Sequence, residues 1–230
     1  MLSKSESQTE MTKSVYSLVL TDEIVAKIDR LAYRKNTNRS NMINQILAEY
    51  VSFVTPEKRM RDVFGRIETI LTGSEDFQMP ARPSESMMNL RSAIAYKYNP
   101  TVRYSVELCR EEGGEIGTLR VQLRTQNENL ILLMTDFCRI WTSLETAALG
   151  DVDYEIASGR FLRRLVLREN GSAVPGALSA DTVGELIANY VRAFDSALKA
   201  YFYELNRSAN AAETVRSIFA EYVSRSRLIL

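Results

Sequence analysis

A short β-rich run stands directly before two helical patterns near the start of the chain. The run SVYSLVL covers residues 14–20 and ends at a polar turn. Apolar residues at helical spacing then predict a first helix with Thr21 as its N-cap, a stop at Asn36, and a second helix capped by Asn38. A segment of about 40 residues with one strand and two helices cannot bury its own apolar faces. The pattern therefore predicts a two-fold dimer in which two copies of the strand pair antiparallel.

The middle of the chain contains one clear candidate for a linker. Residues 73–86 contain two prolines and many small polar residues, and they follow a predicted helix, Glu57–Leu71, that starts after Pro56. We therefore divide the chain into four parts by their patterns. These are a flexible arm at 1–12, the strand–helix–helix domain at 13–55, a helix and linker at 56–86, and a C-terminal oligomerisation or effector domain at 87–230.

The C-terminal part carries both helical and strand patterns. Alternating apolar and polar residues at 102–108 and 119–124, around a turn with Gly113 and Gly114, predict a β-hairpin. Residues 153–168 fit either a helix or a strand. Helical spacing predicts helices at 87–96, at 128–149, after Ser179 and at about 210–226. We therefore expect an α+β protein, in which the strand–helix–helix dimer domain precedes a mainly helical α+β domain with a β-hairpin.

The composition excludes several kinds of chemistry. The chain of 230 residues contains no histidine, which removes the commonest general base and the commonest transition-metal ligand. It also contains no nucleotide-binding glycine loop, no nucleophile elbow and no metal-ligand spacing. We therefore expect no enzymatic activity, no cofactor and no metal. Two cysteines and the lack of a long apolar run predict a cytoplasmic protein that does not enter a membrane.

The charges of the chain balance, with 29 basic and 29 acidic residues. This balance excludes a polybasic coat for nucleic acid, but a local patch is enough for DNA binding because phosphate contacts need only a few donors. One basic set, on one face of the predicted hairpin, consists of Arg103, Arg120 and Arg124. We favour a solvated sheet face for it, with an anionic effector or more DNA as the alternatives. A second basic stripe, expected on the surface, consists of Arg160, Arg163, Arg164 and Arg168.

Residues 20–51, LTDEIVAKIDRLAYRKNTNRSNMINQILAEYV, resemble the ribbon-helix-helix family of DNA-binding proteins, the class of Arc and MetJ. The acidic turn Asp22-Glu23 fits the start of the first helix, and the polar residues 38–40 fit the start of the second. Asn36 stands where the family usually has glycine. The apolar positions that match are Leu20, Ile24, Ile28, Leu31, Ala32, Ile43, Leu47 and Tyr50. The resemblance covers residues 13–54 and leaves the rest of the chain unassigned.

The resemblance implies that the paired strands enter the major groove of duplex DNA and read bases with alternate side chains. In this register Tyr16, Leu18 and Leu20 face the dimer core. The side chains implied to face the bases are Lys13, Val15, Ser17 and Val19. The residues implied to contact phosphates are Lys35, Asn38, Arg39 and Ser40. The two valines depart from the polar side chains usual in the family, since valine packs against a thymine methyl but donates no hydrogen bond.

The expected function is sequence-specific transcriptional regulation, most simply repression, by a homodimer or higher oligomer bound to double-stranded DNA. The same DNA-binding unit also suits a plasmid partition protein, a conjugation accessory protein or an antitoxin. A third possibility is a dimerisation module of the same shape that assembles proteins without nucleic acid, which the outward valines favour. Steep salt dependence of binding to duplex DNA separates the first two from the third.

Overall fold

The computed structural model describes residues 17–51, 53–73, 76–97, 99–110, 115–169, 172–173, 178–205, 207, 210–225 and 228–230. The chain divides into two compact units, residues 1–54 and 55–230. The fold is mixed α+β, with an antiparallel sheet of five strands, and the helices and strands follow in the order given below.

The first unit contains two helices, α1 (Asp22–Arg34) and α2 (Arg39–Tyr50), at the predicted places. Asn36 has a positive φ of 51° between them, as expected for the residue that ends α1. The Asn38 side chain accepts a hydrogen bond from the Asn41 N–H at 2.9 Å, which confirms it as the N-cap of α2. Thr21 stands at the N-cap position of α1 but makes no side-chain capping bond.

The predicted strand at 14–20 is only partly described. Its first three residues lie outside the described residues, and residues 17–20 are not in a sheet within the single chain. The buried apolar cluster of this unit consists of Ile28, Ala32 and Met42, against which Leu31 and Ile43 pack. A cluster of this size leaves most of the apolar surface of the two helices open.

The second unit begins with α3 (Pro56–Leu71), which Thr55 caps through the Lys58 N–H. The helix buries Val63, Phe64 and Ile67, and it packs so closely on Gly184 that a Cβ there would lie 2.8 Å from the Val63 carbonyl oxygen. Pro56 occupies the first turn, where its missing N–H costs nothing. The helix predicted at 57–71 is thus confirmed.

Residues 76–86 also belong to this second unit. Phe77 is buried, and Gln78 exchanges two backbone hydrogen bonds of 2.8 Å with Arg91. The helix and linker predicted at 56–86 are therefore part of the folded body in the structure. Two prolines and a run of small polar residues indicated a linker, but the single aromatic anchor at position 77 ties this stretch to the sheet.

The five-stranded sheet has the strand order β1-β2-β3-β5-β4, with every pair antiparallel. The β2–β3 pair confirms the predicted hairpin, since Tyr104 lies opposite Val121 and Val102 opposite Leu123. The strands of this sheet are β1 (Met87–Ala93), β2 (Thr101–Leu108), β3 (Glu115–Arg124), β4 (Tyr154–Ala157) and β5 (Arg160–Val166). The ambiguous stretch 153–168 thus forms strands, and Ser158 and Gly159, both with positive φ, make the tight turn between β4 and β5.

The helix predicted at 87–96 is wrong, because residues 87–93 form β1. Met88, Leu90 and Ser92 are buried while their neighbours are half-buried or exposed, which is the alternation of a strand. Met and Leu are good helix formers, so the local pattern favoured a helix. Pairing with β2 along the whole strand overrides that preference.

The other predicted helices are confirmed as α4 (Glu128–Leu149), α5 (Ala180–Leu205) and α6 (Ala211–Arg225). The core lies between these helices and one face of the sheet. Phe194 of α5 stands at its centre, stacked on Phe161 at 5.2 Å and edge-on to Trp141 at 5.2 Å. A second, three-stranded sheet consists of β6 (Arg168–Glu169), β7 (Ser172–Ala173) and β8 (Leu228–Ile229). Among the described residues, no helix has the length and apolar character that crossing a bilayer requires.

Candidate nucleic-acid interface

The four candidate phosphate contacts lie together between α1 and α2. Lys35 is the C-cap of α1, and Asn38, Arg39 and Ser40 start α2. All four side chains are exposed. The Asn41 N–H is taken by the Asn38 side chain and the Met42 N–H by the Asn38 carbonyl, so the N–H groups of residues 39 and 40 point out of the helix end without an intrahelical acceptor. This arrangement can hold an anionic oxygen.

The Arg39 side chain does not extend freely toward such an anion. Its guanidinium forms a two-point pair with Asp29 of α1, with Nε–Oδ1 at 2.7 Å and Nη2–Oδ2 at 2.6 Å. The hydrogen bonds from Arg39 lower the pKa of Asp29, so the carboxylate is ionised and competes with any phosphate. Sequence reasoning missed this pair, because the two residues are ten positions apart on different helices and no spacing rule joins them.

The candidate base contacts are described only in part. Lys13 and Val15 lie outside the described residues, and Ser17 and Val19 are both exposed. Val19 is 102% exposed, whereas the next residue, Leu20, is 36% exposed. Leu18, which is expected on the same side as Leu20, is 60% exposed, so the expected register stays a prediction.

Several of the apolar positions that match the ribbon-helix-helix core stay exposed in the single chain. Leu20, Ile24, Leu47 and Tyr50 are between 36% and 88% exposed, while Ile28 of the same set is buried. Further exposed apolar side chains of this unit are Leu18, Ile46, Val51, Phe53 and Val54. Exposed apolar patches are typical of interaction surfaces.

A second basic surface lies on the outer face of the five-stranded sheet. Pairing across β1, β2, β3 and β5 places Arg91, Arg103, Gln122 and Arg160 in one row. The prediction that Arg103, Arg120 and Arg124 share one face is confirmed, since the buried side chains of the two strands alternate with them. Arg91 was missed because its strand was predicted as a helix.

The second predicted basic stripe is not a surface stripe. Arg163 is buried and pairs with Glu145, with Nε–Oε1 at 2.9 Å. Arg164 pairs with Asp153 at 3.1 Å, and Arg168 donates to the Leu149 carbonyl at 3.0 Å. Strand alternation explains the split: Arg160 and Arg164 face outward while Arg163, between them, faces the core.

The buried Glu145–Arg163 pair is a structural feature of the core. Burial raises the pKa of Glu145, while the charge of Arg163 opposes the shift. The guanidinium also lies 4.7 Å from the centre of the Tyr190 ring and donates to the Leu230 carbonyl at 2.5 Å. The pair is surrounded by core side chains, so it does not offer a surface for a macromolecule.

The two cysteines lie in different surroundings. Burial raises the pKa of the Cys138 thiol to about 12, which keeps it protonated at neutral pH. Cys109 is half-buried directly after β2. Among the described residues, no three His, Cys, Asp or Glu side chains come together as a metal site would require.

No protein-family model, curated protein or solved structure matches the chain.

Proposed function

We propose that the chain is a sequence-specific DNA-binding regulator of transcription that acts in the cytoplasm as a dimer. In this proposal the 13–20 segments of two copies pair into a ribbon that enters the major groove. The observation that carries the proposal is the exposed apolar surface of the first unit, continuous in sequence with the β-rich run. A two-stranded ribbon has the width that the major groove accepts.

The apolar surface favours a second copy as its partner. The first unit buries a cluster of three apolar residues, while Leu20, Ile24 and Leu47 stay exposed. Burying one such side chain fully contributes about 1.5–3 kcal/mol, and a two-fold dimer buries each of them twice. Dimerisation therefore supplies what this unit lacks for stable folding.

The start of α2 supports contact with the DNA backbone. Its two outward N–H groups and the positive end of the helix favour a phosphate at residues 39 and 40. Lys35 adds a positive charge one turn away. Because Arg39 is held by Asp29, the backbone N–H groups and Lys35 carry this contact more than the Arg39 side chain does.

A dimerisation module without nucleic acid is the second candidate. It is favoured by the Arg39–Asp29 pair, which neutralises the one arginine at the start of α2, and by the apolar Val19 on the outward side. In that case the paired strands would dock on another protein. A plasmid partition, conjugation or antitoxin role shares the DNA-binding step, and the genomic position of the preferred sequence distinguishes it from transcriptional control.

The test uses the full chain and a pool of duplex DNA fragments, from which bound sequences are selected and sequenced. We expect one enriched sequence with two-fold symmetry. Val19→Asp should abolish binding of this DNA sequence in a gel shift, because the new charge faces the DNA. The dimer should persist in sedimentation, because the charge does not face the dimer core. Leu47→Asp should abolish both, because it places a charge inside the interface.

Tyr33→Asp is the matched control for both variants. Tyr33 is 88% exposed on α1 and is not one of the matching core positions. The same charge there should leave the dimer and the DNA complex in place. Retention of DNA by Val19→Asp at the level of Tyr33→Asp would overturn the proposal, and a dimer that retains no DNA fragment would select the assembly module instead.

A further inference from the structure

The outer face of the five-stranded sheet carries a compact group of arginines, which we name the arginine face. Its members are Arg91, Arg103, Arg120, Arg124 and Arg160. Gln122 lies at the centre, opposite Arg103 on one side and Arg160 on the other, with Arg120 and Arg124 two positions away along its own strand. Neighbouring strands are about 4.8 Å apart, so the row from Arg91 to Arg160 extends over about 14 Å.

These arginines have no acidic partner within the part of the chain that the structure describes. None of the five takes part in an ion pair or a side-chain hydrogen bond there, in contrast to Arg164, which has both Asp153 and Glu115 within 4.0 Å. The Nε atoms of Arg91 and Arg103 are buried and still lack a hydrogen-bond acceptor. Buried donors without acceptors cost free energy, and either water or an anion from outside the chain can supply the acceptor.

Repulsion between like charges also makes the arginine face unfavourable for the chain alone. Arg91 and Arg103 lie directly opposite each other on adjacent strands. Like charges in that position destabilise a sheet. The acids of this face are Glu107, Glu115 and Glu155. They stand opposite uncharged residues, Glu107 opposite Met87 and Thr118, Glu115 opposite Val166 and Glu155 opposite Leu162. An anion with several charges would relieve the repulsion at the centre of the face.

We propose that the arginine face binds the phosphate backbone of duplex DNA, as a second contact surface of the same chain. Over about 14 Å of helix axis a duplex presents about eight phosphates, which is ample for five guanidinium groups. The face is an open sheet surface rather than a concave pocket, which favours an extended polyanion over a small ligand. The proposal takes its partner, DNA, from the proposed function, but it concerns other residues and is tested separately.

Two other occupants fit the face less well. Single-stranded nucleic acid is held largely by aromatic rings that stack on bases, and the outward positions of β1, β2, β3 and β5 that the structure describes carry no aromatic residue. A second copy of the chain related by a two-fold axis would place arginines against arginines. A duplex backbone needs neither rings nor acidic residues on the protein.

The experiment measures binding of the full chain to a duplex of random sequence as a function of salt. The variant is the triple substitution R103Q/R120Q/R124Q. Each lost phosphate contact lowers the slope of log K against log salt by about 0.9, so we expect the slope to fall by about 2–3. The conservative triple R103K/R120K/R124K keeps the charges and should keep most of the slope.

The matched control removes three charges from elsewhere on the second unit. Arg139, Arg216 and Arg225 are exposed on α4 and α6, each paired with an acid on its own helix. R139Q/R216Q/R225Q should leave the slope unchanged. Equal slopes for the two glutamine triples would overturn the proposal, as would a glutamine effect that is larger for a single strand of the same length than for the duplex.

The outcome for the arginine face and the outcome for the ribbon are distinguishable. If the glutamine triple lowers the slope while Val19→Asp leaves selected binding unchanged, the arginine face stands and the ribbon proposal fails. If Val19→Asp abolishes binding while the glutamine triple keeps the wild-type slope and thermal midpoint, the ribbon stands and the arginine face fails. A wild-type chain that binds neither the selected nor the random duplex would overturn both.

Discussion

The two units of the chain leave opposite kinds of surface without a partner. The first unit buries a cluster of three apolar residues and exposes a stripe of large apolar side chains. The second unit has a continuous core between its sheet and helices, and the arginines on the outer face of its sheet have no acidic partner among the described residues. An incomplete core favours association with another protein chain, whereas a cationic sheet face favours an anion. We therefore propose self-association for the first unit and expect the second unit to be stable by itself.

The largest expected change in the free energy of unfolding of the second unit comes from substitution at the buried Glu145–Arg163 pair. Glu145→Gln leaves the Arg163 guanidinium buried without an ionised partner, and because an arginine side chain cannot give up its proton we expect a loss of about 3–5 kcal/mol in the free energy of unfolding at pH 8. The loss should shrink at acid pH, because Glu145 of the wild type is then protonated as well. Urea unfolding followed by the fluorescence of Trp141, the single tryptophan of the chain, reports on the second unit alone.

The reverse substitution, Arg163→Met, should show a dependence on pH. It leaves a buried carboxyl whose pKa burial already raises, and the folded state then binds a proton that the unfolded state has released. The loss of stability of Arg163→Met relative to the wild type should therefore be smallest below the ordinary pKa of glutamate, about 4.3, and should grow as the pH rises through the raised value. A loss that is the same at pH 4 and pH 8 would contradict this account of the pair.

Helix caps allow the same chemical change to be compared in the two units. Asn38→Ala and Thr55→Ala each remove one capping acceptor, and each should cost about 1 kcal/mol. In the second unit the loss should be independent of protein concentration. In the first unit the same loss should lower a melting transition that itself rises with protein concentration, because the proposed dimerisation couples folding to association.

Thr21→Ala is the control for this pair of variants, because Thr21 makes no capping bond. Its effect on the circular dichroism melt should stay within about 0.5 kcal/mol. A transition of the first unit that does not move with concentration would break the comparison, since it would mean that this unit is stable without a second copy.

What could be predicted from the sequence was local. The cap at Asn38, the stop at Asn36 and the β2–β3 hairpin each depend on residues only a few positions apart, or on a strict alternation that one strand shows by itself. The strand β1 was missed because its stabilisation comes from pairing with β2 rather than from its own residues. Partners that are distant along the chain leave no periodic signal.

The same reason limits the prediction of the candidate sites. The burial of Arg163 could be inferred only after 160–166 was known to be a strand, since its inward position follows from alternation. The Asp29 partner of Arg39 depends on how two helices pack. Arg91 joined the arginine face only through the register of β1 against β2. Residue types that suit a function were visible in the sequence, but their neighbours were not.

The smallest expected effect is a gain in the free energy of unfolding, and it comes from removing like charges on the arginine face. Arg103→Thr removes the like-charge contact with Arg91 and should stabilise the second unit by about 0.2–1 kcal/mol, more at low salt than at high salt. Arg120→Thr is the matched control, because it gives the same gain in strand propensity but lies opposite the uncharged Ser105 and Leu162. If the gain is larger at position 103 than at position 120 and disappears in high salt, repulsion between Arg91 and Arg103 lowers the stability of the wild-type chain. Equal gains at positions 103 and 120 would mean that the contact between Arg91 and Arg103 does not lower the stability of the second unit.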